Sequence, residues 1–195
     1  MTHIRSEQIL PDTLETERLH LRPLKSSDAA RIVQLANDPN IAYLLGSMPH
    51  PYTLDHANSF LARVAKKQTH VFGICLKSDK NQLIGTVGVG PRWSPEEPEI
   101  GFWIGVDYWE NQYSSEAIQA ILTYAFEFLN YEKIYCSCRI ENAKPRNIIH
   151  SCGLVYIGRT ERYFESPDQT YAMDKYFLTR KMWQESQAQP LKAAQ

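Results

Sequence analysis

A glutamate in a strand-like stretch is the first residue of this sequence whose type and setting point to chemistry. Glu99 stands within residues 97–106, where Gly101, Trp103 and Gly105 alternate with apolar residues. Successive side chains of a strand point to opposite faces, so Glu99 shares an open face with Trp103 and the two glycines. A carboxylate in this setting can take part in acid–base chemistry. The alternative is a carboxylate at a strand edge that is merely solvated.

The segment after this strand favours anion binding. Apolar residues repeat at the helical period from about Ser114 to Leu129, which predicts a strong helix. The first N–H groups of a helix have no partner within it, and the helix dipole favours negative charge at this end. The start of the predicted helix can therefore hold a pyrophosphate through backbone N–H groups.

Composition argues against several other classes of function. The chain has 195 residues, 22% of them charged, and a net charge of −1, so no footprint for nucleic acid stands out. It contains no run of 18 apolar residues and has charged residues where a signal peptide needs its apolar stretch. We expect a cytoplasmic protein that binds neither nucleic acid nor membrane.

The four cysteines favour buried free thiols. Cys136 and Cys138 are too close in sequence for an easy disulfide and lie in a strand-like run. Cys75 and Cys152 have no partners at zinc-ligand spacing apart from His150. The sequence therefore predicts no metal site.

The elements that position these residues follow from hydrophobic periodicity. Strands are predicted at 16–24, 70–77, 82–89, 97–106, 133–140, 154–163 and 173–179. Helices are predicted at 29–36, from a cap at Thr53 to about residue 67, at 114–129 and at 145–152. The first helix is expected to stop at Asn37-Asp38-Pro39, and the chain to fray from Gln184.

This order of elements predicts one α/β (α+β) domain with a mixed sheet. Only the strand–helix–strand unit across residues 97–140 demands a parallel crossover, and a ligand site is expected there. The predicted organisation is an extension at 1–13, the domain at 14–183 and a flexible tail at 184–195.

Three segments in a fixed order resemble a known family. They are EIGFWIGV at 99–106, YWENQYSSEA at 108–117 and ENAKPRNIIHSCGL at 141–154, preceded by TERLHLRPL at 16–24. Together they resemble the GNAT superfamily of N-acetyltransferases, RimJ/RimL branch, over nearly all of residues 14–183. The resemblance implies a mostly antiparallel sheet of about six or seven strands with about four helices and a central parallel crossover. It also implies transfer of an acetyl group from acetyl-CoA to an amine.

The resemblance also implies roles for individual residues. Ile104, Gly105 and Val106 would pair with the pantetheine arm, with an N–H near Val106 polarising the thioester carbonyl. Asn142 would reach the pantetheine from the other side, Glu99 would take the amine's proton directly or through water, and Trp103 would line the acceptor pocket unless it is simply packed. The loop that would wrap the CoA pyrophosphate consists of Glu110, Asn111, Gln112, Tyr113, Ser114 and Ser115.

The chain departs from the family pattern in two places. The pyrophosphate loop has no glycine, since Glu110 and Gln112 stand where the branch has glycines. If one of these positions needs a positive φ, a residue with a Cβ there costs about 1 to 2 kcal/mol. Pro145 and Ile149 stand where related enzymes carry a serine or a tyrosine as general acid. Water, or one of the three residues His150, Ser151 and Cys152, would then supply the proton.

The free-energy cost of deprotonating the acceptor amine narrows the choice of acceptor. An α-amine with a pKa near 7.8 becomes neutral at pH 7 for about 1 kcal/mol, whereas a lysine requires about 4.6 kcal/mol. We therefore expect a protein N-terminal α-amine, with a small amine such as a polyamine or an antibiotic as the alternative. A non-catalytic acyl-CoA sensor is the alternative to an enzyme.

The sequence leaves the oligomeric state open between monomer and homodimer.

Overall fold

The structure is a computed structural model that describes residues 10–66, 69–164 and 168–188. Eight strands form one sheet in the order β1-β2-β3-β4-β5-β6-β8-β7. The strands are β1 Leu14–Glu15, β2 Leu19–Pro23, β3 His70–Leu76, β4 Gln82–Pro91, β5 Pro98–Ile104, β6 Lys133–Arg139, β7 Val155–Phe164 and β8 Gln169–Thr179. The helices are α1 Ala29–Ala36, α2 Pro39–Leu45, α3 Leu54–Ala65, α4 Tyr113–Thr123, α5 Ala143–Ser151 and α6 Arg180–Ala188.

The predicted fold class is confirmed. Neighbouring strands are antiparallel except β5 and β6, which are parallel and flank α4 in the chain. The described residues contain eight strands and six α-helices, more than the sequence predicts, because β1, α2 and α6 were not anticipated.

The α2 helix was missed at a position where the sequence predicted only a helix end. Asp38 caps α2 by accepting a hydrogen bond from the Asn40 backbone N–H at 2.8 Å, and Pro39 occupies the first turn. Gly46, with φ of 67°, ends the helix in the left-handed conformation. The Asp-Pro pair therefore closes α1 and opens α2, a role that suits an N-cap followed by proline.

The C-terminal prediction also needs correction. We predicted fraying from Gln184, but α6 continues to Ala188. Its Trp183 is buried, and its ring lies 5.4 Å from that of Phe126 at an angle of 35°, a contact that secures the helix to the core. Of the predicted N-terminal extension and tail, residues 1–9 and 189–195 lie outside the described residues.

Two hydrophobic clusters cover the two faces of the sheet. The larger packs α4 against β2 to β6 through residues such as Ile118, Ile121 and Leu122. The smaller packs α1 and α3 on the opposite face, with Ile32 and Ala57 at its centre. All four cysteines are buried free thiols, as predicted.

The parallel ladder between β5 and β6 is very short. It joins only Glu99 to Tyr135 and Ile100 to Cys136, whereas β4 and β5 are paired at seven positions. The remainder of β5 therefore parts from β6 and leaves a cleft in the middle of the sheet. Among the described residues, no helix is both long and apolar enough to span a bilayer.

Candidate active site

A cavity of about 390 Å³ occupies the cleft between β5 and β6. The first residues of α4 and α5 form its walls, and α2 contributes Ile41, Leu44 and Leu45. Most of the predicted site residues line it, namely Glu99, Trp103, Ile104, Glu110, Gln112, Tyr113, Ser114, Ser115 and Asn142. Gly105, Val106 and Asn111 are absent from this lining.

The backbone of β5 presents hydrogen-bonding groups to the cleft at alternate residues. The Gly105 N–H donates to the Ile84 carbonyl on β4 at 2.9 Å, so the odd-numbered residues of β5 face β4. Phe102 and Ile104 therefore direct their backbone groups to the opposite side, where β6 has moved away. The Ile104 carbonyl is already bonded to the Trp109 indole N–H at 2.8 Å, which leaves the Ile104 N–H and both Phe102 groups.

This alternation changes the expected set of pairing residues. The predicted run from Ile104 to Val106 does not present all its groups to the cleft, because the Gly105 and Val106 carbonyls accept from the Tyr108 and Trp109 N–H groups. Phe102 was not among the predicted pairing residues, because neither its type nor its spacing in the sequence reveals which strand its backbone faces.

The loop before α4 contains two residues in the left-handed conformation. Glu110 has φ of 66° and Gln112, which immediately precedes α4, has φ of 62°. The sequence places side chains where glycine would be unstrained, and the structure shows that these positions do adopt positive φ. Asn111 holds the turn by donating from Nδ2 to the Trp109 carbonyl at 2.9 Å.

A carboxylate in the first turn of α4 anchors that helix to the N-terminal strands. Glu116 accepts hydrogen bonds from Thr16 Oγ1 at 2.6 Å, the Arg18 backbone N–H at 2.8 Å and Arg18 Nε at 2.7 Å. Burial acts to raise the pKa of Glu116, but the hydrogen bonds from Thr16 and Arg18 outweigh it and hold the pKa below its usual value. Glu116 thus fixes the position of the first turn of α4.

Glu99 lies where the two strands separate and is buried, with 5% of its surface exposed. Arg162 of β7 donates from Nη2 to Glu99 Oε1, and Ser137 Oγ donates to the same oxygen at 3.3 Å. Burial raises the pKa of Glu99, and the charges of Arg162 and Arg92 oppose that rise without cancelling it. The solvated alternative considered from the sequence is excluded by this burial.

A second cavity, of about 540 Å³, lies between β5 and α3. The two cavities share a border formed by Leu45, Arg92, Glu99, Gly101, Phe102 and Trp103. Trp103 lines both cavities and also packs against the cluster beneath α1 and α3. Glu99 is therefore accessible from two cavities that meet at β5.

The candidates for general acid lie away from the cleft. Pro145 and Ile149 line the cavity but carry no transferable proton, whereas His150, Ser151 and Cys152 are absent from its lining. Ser151 Oγ donates to the Ile148 carbonyl at 2.8 Å, and burial raises the pKa of Cys152 to about 11. Within the described ranges, no group of three or more His, Cys, Asp or Glu side chains is arranged to hold a metal ion.

Comparison with known proteins agrees with this geometry. The profile of a family described as acetyltransferase (GNAT) domain matches residues 18–155. The uncharacterized N-acetyltransferase p20 of Bacillus licheniformis is 28% identical over 145 residues, which are 72% of this chain and 80% of that protein.

Solved structures share the fold at lower identity. Mycobacterium smegmatis RimJ, in complex with CoA-disulfide, has a TM-score of 0.76 at 19% identity and covers 92% of this chain and 90% of its own. Spermidine N-acetyltransferase from Vibrio cholerae, in complex with CoA and spermine, has a TM-score of 0.71 at 22% identity, covering 87% and 99%.

Proposed function

Because this chain belongs to the GNAT acetyltransferase family and is an acetyl-CoA-dependent acyltransferase, we propose that its acceptor is the α-amine of a protein or peptide N-terminus. This acceptor is the one expected of the RimJ/RimL branch, to which we assign the chain. The spermidine acetyltransferase from Vibrio cholerae, which has the same fold, makes polyamines the alternative to be tested.

One observation carries the proposal: Glu99 borders both cavities. Acetyl-CoA in the cleft between β5 and β6 and an amine in the cavity beneath α3 would meet at β5, beside this carboxylate. A direct transfer between two bound substrates needs this arrangement, because the nucleophile must approach the acetyl carbon without leaving the protein.

The residues of the cleft fit acetyl-CoA. The unpaired backbone groups of Phe102 and Ile104 offer β-type hydrogen bonds to a pantetheine amide, and Asn142, immediately before α5, lines the same cavity. The start of α4, from Tyr113 to Ser115, offers free N–H groups to the pyrophosphate. Acetyl-CoA supplies the activated acetyl group, and the protein supplies its position.

Starting from the ammonium, the transfer removes two protons from the amine nitrogen and adds one to the CoA sulfur. The amine nitrogen forms a bond to the acetyl carbon as the carbon–sulfur bond breaks, and the CoA sulfur departs as a thiolate. Glu99 takes one proton of the incoming ammonium, directly or through water, before the attack, and the second nitrogen proton passes to solvent as the tetrahedral intermediate collapses. Solvent also protonates the thiolate, whose reference pKa is near 8.5. No protein acid is needed because a thiolate is already a good leaving group.

An α-amine is the acceptor that a carboxylate paired with Arg162 can most easily deprotonate. Neutralising an α-amine at pH 7 takes about 1 kcal/mol, against about 4.6 kcal/mol for a lysine. Burial raises the pKa of Glu99, but the hydrogen bonds from an arginine and a serine limit this rise, so the carboxylate is a modest base that suffices for the easier of these two tasks.

The test is release of free thiol from acetyl-CoA with matched acceptors. We would compare a lysine-free peptide with a free N-terminus, the same peptide blocked at its N-terminus and carrying one lysine, and spermidine. We expect the free α-amine to give the highest kcat/KM. A preference for spermidine or lysine would contradict the proposal, and CoA binding without thiol release from any acceptor would favour the non-catalytic sensor.

A further inference from the structure

The cavity beneath α3 carries more positive than negative charge. Its charged lining residues are Arg63, Arg92 and Glu99, with His56 as a further titratable group. The His56 ring accepts a hydrogen bond at Nδ1 from the Thr53 backbone N–H at 3.1 Å. The cavity thus presents two guanidinium groups and one carboxylate.

The single carboxylate is already paired. Glu99 forms its ion pair with Arg162, which lies outside the lining of this cavity. Neither Arg63 nor Arg92 has a carboxylate within ion-pair distance in the part of the chain that the structure describes. The side chain of Arg92 donates from Nη2 to Ser47 Oγ at 3.3 Å, a neutral partner. Neither guanidinium is therefore engaged in an ion pair among the described residues, although Arg92 lies near enough to Glu99 for its charge to lower the pKa of that carboxyl.

The position of Arg92 places one of these charges beside the reacting groups. A Cβ added to Gly101 would meet a single heavy atom within 4 Å, Nη1 of Arg92 at 3.5 Å. Gly101 lies between Glu99 and Trp103 on the same face of β5, so the guanidinium stands at the point where an amine would approach Glu99. The exposed Arg63 lines the same cavity from α3.

We infer that the acceptor carries a carboxylate close to its reactive amine and that Arg63 and Arg92 bind this carboxylate. The inference rests on the proposed function, which places the acceptor in this cavity. A guanidinium group presents paired N–H donors that match the two oxygens of a carboxylate. A polyamine would instead bring further positive charges against two arginines, an arrangement that opposes binding.

Two kinds of acceptor offer this chemistry. One is a peptide with aspartate or glutamate as its first or second residue, and the other is a free amino acid with its own α-carboxylate. In both, the carboxylate lies a few bonds from the amine. The experiment therefore has one arm for each source.

The first arm compares peptides that begin with Asp or Glu with the same peptides beginning with Asn or Gln. The second compares a free amino acid with its α-amide. We expect the acidic member of at least one pair to have a kcat/KM about tenfold or more higher. The substitutions Arg92→Gln and Arg63→Gln should reduce this ratio, whereas Arg159→Gln, at an exposed arginine of β7 outside both cavities, should leave it unchanged.

Calorimetry with the same peptides, in the presence of CoA, separates the two proposals. Equal kcat/KM values within both pairs, with the peptides acetylated, would overturn the carboxylate inference and leave the proposed function standing. If no α-amine is acetylated, the proposed function fails, and equal Kd values for the acidic and neutral peptides would overturn the inference as well. Tighter binding of the acidic peptides that is lost in Arg92→Gln would support it.

Discussion

Arg162 of β7 donates a hydrogen bond to the carboxylate of Glu99 on β5, although β6 and β8 lie between these strands in the sheet. The side chains of both residues are buried, with 10% and 3% exposed. The carboxylate that we propose as base is therefore held by a residue more than sixty positions away in sequence. Its orientation and its affinity for a proton both depend on that arginine.

Replacing Glu99 by glutamine removes the proton acceptor and retains an oxygen for Arg162. We expect Glu99→Gln to lower kcat/KM at pH 7 by about 10² to 10⁴ and to leave CoA affinity unchanged. The defect should shrink above the acceptor's own pKa, near 8 for an α-amine, because the nucleophile then arrives neutral.

A matched control is Glu97→Gln, since Glu97 also bonds a cation, Lys175 at 2.6 Å, but lies outside both cavities. It should have wild-type kinetics. An unchanged rate for Glu99→Gln at pH 7 would rule out the base, and a constant defect from pH 6 to 9 would make Glu99 a positioning residue.

Removing Arg162 should shift the pH dependence of the reaction. The arginine opposes the rise in the pKa of Glu99 that burial causes, so Arg162→Gln should raise that pKa further. The base acts in its ionised form, and the acidic limb of kcat/KM against pH should therefore move to higher pH. A pH-rate profile with an acidic limb identical to that of the wild type would show that Glu99 does not determine it.

Gln112→Gly should relieve strain at the start of α4. Gln112 has φ of 62°, which costs a residue with a Cβ about 1 to 2 kcal/mol relative to glycine. We expect a higher thermal midpoint and a CoA affinity that is equal or tighter by calorimetry. Asn130→Gly, at φ of 56° and outside the cleft, is the control that should gain stability without any change in affinity. A markedly weaker affinity for Gln112→Gly would mean that the glutamine side chain itself contacts CoA.

Glu116 should make the free energy of unfolding depend on pH in the acidic range. Its folded-state pKa is lowered from 4.5, so its stabilising contribution is complete above about pH 4.5 and is lost as the pH falls through the lower value. Glu116→Gln should cost about 2 kcal/mol of unfolding free energy at pH 7, and this cost should disappear at low pH, where the wild-type side chain is protonated as well.

Denaturant unfolding between pH 2 and 7 measures this difference. Glu185→Gln, at an exposed carboxylate on α6 with Lys181 at 3.9 Å, should show almost no effect at any pH. A cost for Glu116→Gln that is the same at pH 2 and pH 7 would show that the charge of Glu116 does not contribute.

The sequence predicts local features of this site and misses those that depend on distant parts of the chain. The helix start at residue 113 and the open face of β5 follow from periodicity, and the demand for positive φ at 110 and 112 follows from the family resemblance. The Asp38-Pro39 pair contained the signal for α2, since it is also an N-cap followed by proline, but we interpreted it only as an end.

Two features had no local signal. The partnership of Glu99 and Arg162 arises from the folding of β7 and β8 onto β6, which no spacing in the sequence encodes. The register between β4 and β5 determines that Phe102 and Ile104 direct their backbone N–H and C=O groups toward the cleft. A shift of one residue would have exchanged them with Gly101 and Trp103.

The two-residue ladder between β5 and β6 is a weak connection between two parts of the sheet, one of five strands and one of three. Apart from the two-residue pairing of the edge strand β1 with β2, every other strand pair has a longer ladder than this seam, so we expect opening along it to be the easiest subglobal fluctuation of the free enzyme. A pantetheine arm bonded to Phe102 and Ile104 would act as a short additional strand that closes the seam. Hydrogen–deuterium exchange at these two amides should then slow on CoA binding far more than exchange at the centre of β4, which would make ligand binding the step that unites the two halves into one cooperative unit.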